Sequence, residues 1–176
     1  MTLPTWDLVI TLFFLMVMAY GFILGRGRIV IILILSYAAA LVAGEAGSLV
    51  YNFFTGTKQI ADTVWISSNM SLFSVKVALF ALIIILMTTR GELGTLNNLA
   101  KGVRSTLLVG FYSFFNAGLI VSSIIKFLPE GTQQDLFNLS PIAVKVDSYR
   151  IWWLLLPILV MIGEGFLRGR QEVTKE

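Results

Sequence analysis

The sequence contains no cysteine and no histidine among its 176 residues. It therefore cannot form disulfides, thiol nucleophiles or imidazole bases, and it lacks the usual ligands of zinc and haem. The motifs of nucleotide-binding loops, serine hydrolases and zinc proteases are also missing. Because these absences exclude most familiar catalytic centres, we expect a protein that is not an enzyme and that uses no metal and no cofactor.

Charged residues are also scarce, at 13% of the chain, whereas hydrophobic residues make up 57%. A soluble domain of this length would have to hide nearly all of its apolar segments in a modest core, so we expect the lipid bilayer to surround it. The net charge is +3, but the basic residues are spread thinly and form no dense run. The composition gives no support for a nucleic-acid partner.

Five long apolar segments predict the architecture, because a membrane helix needs about twenty largely apolar residues. They indicate one integral membrane domain over residues 1–170 and a polar tail over 171–176. The helices are expected near 6–25, 29–50, 72–89, 106–127 and 149–167. The first segment has no basic leader, so we interpret it as a retained helix and not as a signal peptide. The predicted fold class is all-α, a polytopic bundle of about five transmembrane helices.

The connections between these segments differ in length and composition. Arg26 and Arg28 form a very short turn between the first two helices, and residues 51–69 resemble an interfacial loop. Residues 90–105 have apolar residues at helical spacing, which favours a short helix on the membrane surface. A polar loop is expected after Pro129, and Pro157 predicts a kink in the last helix.

The basic residues predict the orientation of the bundle. One set of connections holds eight of the thirteen, namely Arg26, Arg28, Arg90, Lys101, Arg104, Arg168, Arg170 and Lys175. Because the side richer in lysine and arginine is usually cytoplasmic, five spans place the N-terminus outside and the C-terminus inside.

Small residues follow a four-residue rhythm in the second and fourth segments, as expected where membrane helices pack closely. The candidate packing residues are Ser36, Ala40, Gly44, Gly47, Ser48, Gly110 and Gly118. This pattern predicts that the second helix is the packing centre and the fourth helix its partner. Contact with a second copy of the chain is the alternative use of the same residues.

Three polar residues fall at or within the predicted hydrocarbon region: Glu45, Asn116 and Glu164. A carboxylate at bilayer depth needs a partner, a proton or a wet cleft. One hypothesis is a proton or cation path through these residues. The other is local pairing, because Glu45 and Glu164 fall near opposite surfaces and an asparagine commonly joins neighbouring helices.

The beginning of the chain resembles a known family. Trp6-Asp7-Leu8-Val9-Ile10 opens the first helix, and Gly21, Gly25, Arg26 and Arg28 surround the turn into a second helix rich in small residues. This hairpin resembles the colicin V production protein family of bacterial inner-membrane proteins. Residues 99–122, a basic connector followed by a glycine-spaced span, resemble it as well. The fifth apolar segment, with Trp152 and Trp153, and Glu45 depart from the family pattern.

The resemblance implies a protein of the bacterial inner membrane that takes part in toxin production or export and in envelope homeostasis, and it supplies no catalytic residues. Three functions follow as hypotheses. The preferred one is an accessory or scaffold protein that contacts lipid and other membrane proteins or itself. The second is a small channel or transporter subunit with a polar path near Glu45 and Asn116. The third is an enzyme acting on lipid at the polar segment 90–104, whose simpler role would be to bind anionic lipid.

Overall fold

The computed structural model describes residues 5–56, 71–90 and 103–173, and the secondary structure of this part is entirely helical. Four long helices come first in the chain: α1 Trp6–Leu24, α2 Arg26–Gly56, α3 Leu72–Arg90 and α4 Val103–Phe127. Two short helices and a final long one follow: α5 Glu130–Leu139, α6 Pro141–Ser148 and α7 Arg150–Val173.

Helices α1 to α4 are each long and apolar enough to cross a membrane. Helices α6 and α7 meet at a bend of 52°, and the two together make a fifth candidate span. The expectation of an all-α bundle with about five membrane-spanning helices is therefore confirmed, and the chain is a multi-pass membrane protein.

Two helices continue further than the sequence predicts. Helix α2 continues to Gly56, through part of the segment predicted as an interfacial loop, since no proline interrupts it. Helix α7 continues to Val173 and thus includes residues assigned to the polar tail. The rest of the predicted interfacial loop and most of the predicted surface helix, 57–70 and 91–102, lie outside the described residues.

The prediction of a polar loop after Pro129 is wrong, because helices α5 and α6 occupy this segment. Helix α5 begins with Glu130, whose negative charge is favourable at a helix N-terminus. Helix α6 begins with a standard cap, in which the Ser140 side chain accepts a hydrogen bond from the Ala143 amide and Pro141 takes the first helical position. The Ser140-Pro141 pair marks the start of a helix, which the periodicity of apolar residues did not reveal.

The turn between α1 and α2 consists of one residue, Gly25. Its amide donates to the Gly21 carbonyl and its carbonyl accepts from Ile29, so it ends one helix and starts the next. Its backbone has φ 79° and ψ 173°, a region that is nearly exclusive to glycine. Arg26 and Arg28, predicted as turn residues, therefore lie in the first turn of α2.

Replacing Gly25 with alanine should destabilise the fold by about 2 kcal/mol, because an L-residue is strained at this φ and ψ. Thermal and denaturant unfolding in detergent measure the change. Gly163→Ala is the matched control, since that glycine is helical and a Cβ there has open space. The control should be neutral or stabilising, and an equal loss in both variants would contradict the role of the turn.

Helix α4 is the centre of the bundle and contacts α1, α2, α3, α6 and α7. In its most apolar stretch 61% of the residues are buried, against 28% in α2. The prediction that the second helix is the packing centre is therefore wrong. Small residues lie on several sides of α4, including Gly110, Ser113, Gly118 and Ser122, so neighbours approach it from several directions.

The core consists of three clusters that all include α4. One joins Ile10 of α1 to Ala143 and Val146 of α6. The second joins Ile29 and Leu33 of α2 to α4 and α7. The third packs the small side chains of α2 against Phe80 of α3. Because each cluster draws on three elements, the long helices form one bundle.

Candidate functional site

A buried ion pair joins the start of α2 to α7. The Arg26 guanidinium contacts Glu164 Oε1, and Tyr112 of α4 donates a hydrogen bond of 2.8 Å to Glu164 Oε2. The Arg26 and Glu164 side chains are only 11% and 15% exposed. Both carboxylate oxygens are thus engaged, and three helices that are distant in sequence are held together at one end of the bundle.

A second carboxylate, that of Asp7, joins α1 to α6 at the opposite end of the bundle. Asp7 of α1 accepts hydrogen bonds from the Ser140 hydroxyl and from the Ile142 amide, at 3.2 Å, at the start of α6. The negative charge lies at the N-terminus of α6, where the helix dipole favours an anion. Sequence reasoning noted Asp7 only through the family resemblance, since its partner is 133 residues away.

Glu45, in contrast, lies on the outer face of α2. Its side chain is exposed, and no hydrogen bond or ion pair engages its carboxylate in the described part of the chain. Leu41 and Leu49, one turn before and one turn after it, are 69% and 71% exposed. The structure therefore does not bring Glu45 together with Glu164, which lies near the other end of the bundle.

Asn116 of α4 is almost fully buried, with 2% exposure. Its side-chain oxygen Oδ1 has no hydrogen-bond partner among the described residues. The neighbouring buried hydroxyls of Ser113 and Ser122 donate to carbonyls of their own helix, at 2.7 and 3.1 Å. Asn116 and Glu45 do not meet, since one lies in the core and the other on the outer surface.

Tyr37 of α2 makes a polar contact with the turn of α7 that precedes Pro157, and sequence reasoning missed this contact. Proline has no amide hydrogen, so the Trp153 carbonyl four residues earlier loses its usual donor. The Tyr37 hydroxyl of α2 lies 3.1 Å from this carbonyl and 2.7 Å from that of Leu154. The single hydroxyl hydrogen is shared between these two carbonyls, one of which lacks its usual amide donor, and the two helices are joined at this point.

Replacing Tyr37 with phenylalanine should lower the free energy of unfolding by about 1 kcal/mol, because a buried carbonyl loses its donor. The loss should be smaller in a Pro157→Ala background, since the new amide hydrogen can serve the Trp153 carbonyl. A double-mutant cycle of unfolding in detergent measures this coupling. Equal losses in the two backgrounds would show that Tyr37 acts independently of the proline.

The predicted packing residues have different neighbours. A Cβ on Gly118 would overlap Trp153 of α7, and one on Gly110 would touch Phe22 of α1 at 3.3 Å. These glycines therefore face α7 and α1, although α2 was their expected partner. Gly47 faces Lys76 of α3. The remaining α2 residues range from buried to partly exposed: Ser36 is fully buried, Ala40 and Ser48 are partly buried, and Gly44 has open space beside it.

Charged side chains lie near the two ends of the bundle and leave its middle uncharged. Arg26 and Glu164 mark one end, and the pair Lys126 and Asp147, 3.6 Å apart, lies near the other. Along α4 the distance from Tyr112 to Lys126 is about 21 Å at 1.5 Å per residue. Five stretches between these ends contain no charged residue: 8–25, 29–44, 77–89, 105–125 and 151–163.

No family model, curated protein or solved structure matches this chain. The fold and its polar groups define a multi-pass α-helical membrane protein in which Asp7, Asp147 and Glu164 have partners within the bundle and Glu45 lies on the outer face of α2. In the described ranges no group of three acidic side chains is placed to hold a metal ion.

Proposed function

We propose that the protein is a non-enzymatic accessory or scaffold protein of the bacterial inner membrane. In this proposal it resembles colicin V production proteins and takes part in toxin production or export, or in envelope homeostasis. One observation carries the proposal: polar side chains within the bundle tie its own helices together, and its middle is uncharged. Such a bundle offers its outer helix faces to other membrane proteins.

The ion pair of Arg26 and Glu164 and the contacts of Asp7 support a structural use of polar groups. A route for ions or solutes needs polar groups along the depth of the membrane. Here Glu164 lies near one end of the bundle and Asp7 near the other, and each of these two carboxylates has its partner within the bundle. The resemblance of the N-terminal hairpin to the colicin V production proteins supports the more specific assignment.

The proposed orientation has the N-terminus outside and the C-terminus in the cytoplasm. It rests on the eight basic residues assigned to one side. Since the chain has no cysteine, single cysteines report accessibility without interference. Gly131→Cys should react with a membrane-impermeant maleimide in intact spheroplasts, whereas Arg28→Cys should react only after permeabilisation. The reverse pattern would overturn the orientation.

The biological role is tested by complementation. The gene is expressed in a colicin V-producing bacterial strain that lacks its own production protein, and secreted toxin is measured. We expect toxin release to be restored, with membrane levels of the protein checked by immunoblotting. Absence of restoration at normal membrane levels would refute the colicin V assignment, while the accessory class would still be tested by flux measurements.

A small channel or transporter subunit is the second candidate function. The Oδ1 of the buried Asn116 favours it, because this atom has no hydrogen-bond partner among the described residues and an unsatisfied polar atom in a membrane core can serve a passing solute. Proteoliposomes with pH-sensitive and potassium-sensitive dyes test this candidate. The accessory proposal expects no flux above that of protein-free liposomes. Flux that disappears in Asn116→Leu, with unfolding unchanged, would establish the channel instead.

A further inference from the structure

The outer face of α2 is exposed and apolar, and it contains a carboxylate. Ile34, Leu41, Glu45 and Leu49 follow one another at helical spacing and are all exposed. We call these four residues the Glu45 face. It is an apolar surface with a carboxylate in its interior, so it has apolar side chains on both sides of the charge.

The other acidic side chains described on the spanning helices all have partners. Asp7 and Glu164 accept hydrogen bonds and Asp147 is paired with Lys126, so each has a partner within the bundle. Glu45 has none among the described residues. A carboxylate beside lipid is costly unless a partner or water reaches it, so a cation supplied by a neighbouring helix would stabilise Glu45.

Two lysines near this depth in the described part of the chain, Lys76 and Lys126, are engaged elsewhere. The alkyl chain of Lys76 lies against Gly47, on the side of α2 away from Glu45, and its ammonium is 5.9 Å from the centre of the Phe127 ring. The Lys126 ammonium is directed to Asp147. These lysines therefore do not neutralise the Glu45 face.

The depth of Glu45 sets where a partner charge must lie. It follows Arg26 by nineteen residues, which is about 28 Å along the helix axis. This length is close to the hydrocarbon thickness of about 30 Å, so Glu45 lies near the border opposite to Arg26. Gly44 has open space beside it, which permits close approach of another helix backbone.

We infer that the Glu45 face binds a transmembrane helix of another membrane protein, and that this helix carries a lysine or arginine near the border of the membrane where Glu45 lies. Charge complementarity selects this occupant. A second copy of the chain is a poor one, because a two-fold dimer through this face would place Glu45 opposite itself. The inference rests on the proposed accessory function, for which it names the contact surface and the chemistry of the partner.

The experiment uses a synthetic leucine-alanine transmembrane peptide as the probe. Three versions carry Lys, Gln or Glu at the depth of Glu45 and are reconstituted with the full-length protein in phosphatidylcholine vesicles. The protein carries a donor dye on Asn138→Cys, an exposed site on α5, and energy transfer to labelled peptide measures binding. We expect the Lys peptide to bind at least fivefold more tightly than the Gln peptide.

Changing the charge at position 45 shows whether Glu45 causes the preference between the peptides. Glu45→Gln should abolish the preference for the Lys peptide, and Glu45→Lys should reverse it in favour of the Glu peptide. Glu130→Gln is the matched control, since that exposed acid lies on α5 outside the Glu45 face, and it should leave the preference unchanged. Thermal unfolding of each variant checks that the bundle is intact.

Three outcomes would overturn the inference. They are equal binding of the Lys and Gln peptides by the wild-type protein, a preference that survives Glu45→Gln, and stronger self-association of Glu45→Gln that excludes the peptides. The first two would indicate that only lipid and water cover the face, and the third that a second copy does. None of them concerns ion flux or toxin release, so a failure here is distinct from a failure of the proposed function.

Discussion

Replacing Gly118 with leucine should lower the free energy of unfolding by about 3 kcal/mol, because a side chain there collides with α7. Trp153 lies directly over Gly118 and has little freedom to move. Its ring packs against Phe14, Phe114 and Phe115, and its Nε1 donates to the Val146 carbonyl at 2.8 Å. Denaturant unfolding in detergent, followed by tryptophan fluorescence and circular dichroism, measures the loss.

Two controls separate this collision from a general effect of leucine. Gly163→Leu places the same side chain on a helical glycine with open space and should have little effect on stability. Trp153→Ala in the Gly118→Leu background should be less damaging than in the wild type, because leucine then fills part of the space that the indole leaves. Strictly additive losses would contradict the close contact of Gly118 and Trp153.

Replacing Glu164 with alanine should lower the free energy of unfolding by about 3 kcal/mol, because removal of one partner leaves the other charge uncompensated. The Arg26 guanidinium is mostly buried, and Tyr112 loses its acceptor at the same time. Arg26→Ala should have a similar effect for the converse reason. Unfolding in detergent and limited proteolysis of α7 measure the two losses.

The comparison with a neighbouring arginine isolates the effect of burial. Arg28 lies in the same first turn of α2 but is exposed, so Arg28→Ala should change stability by less than about 0.5 kcal/mol. Replacing both partners, as Arg26→Met with Glu164→Leu, should cost less than either single alanine replacement, since neither charge is left alone. If Arg28→Ala were as damaging as Arg26→Ala, the ion pair would not be the cause.

The spans of this protein could be predicted well from its sequence, because lipid requires long uncharged helices and such runs are visible in the residues. The number of spans and the all-α class follow from that requirement alone. The segment after Pro129 could not be predicted in the same way. Helices α5 and α6 are short, and they depend on the cap at Ser140 and on contact with Ile10 of α1.

The candidate sites could be predicted only in part. Sequence reasoning selected Glu45, Asn116 and Glu164 because polar groups are rare in membrane helices. It could not pair Glu164 with Arg26, since the two are separated by 138 residues and no local pattern links them. It also missed Tyr112 and Tyr37, because a tyrosine in an apolar run has no distinguishing pattern until its hydroxyl is located in space.

The ion pair between Arg26 and Glu164 also has a consequence for biogenesis. The ribosome adds Arg26 well over a hundred residues before Glu164, so the nascent α2 enters the bilayer with an unmatched cation at its start. The ion pair of the first hairpin can therefore form only after α7 has been synthesised and inserted. Insertion of the early helices therefore precedes the closure of the bundle by α7.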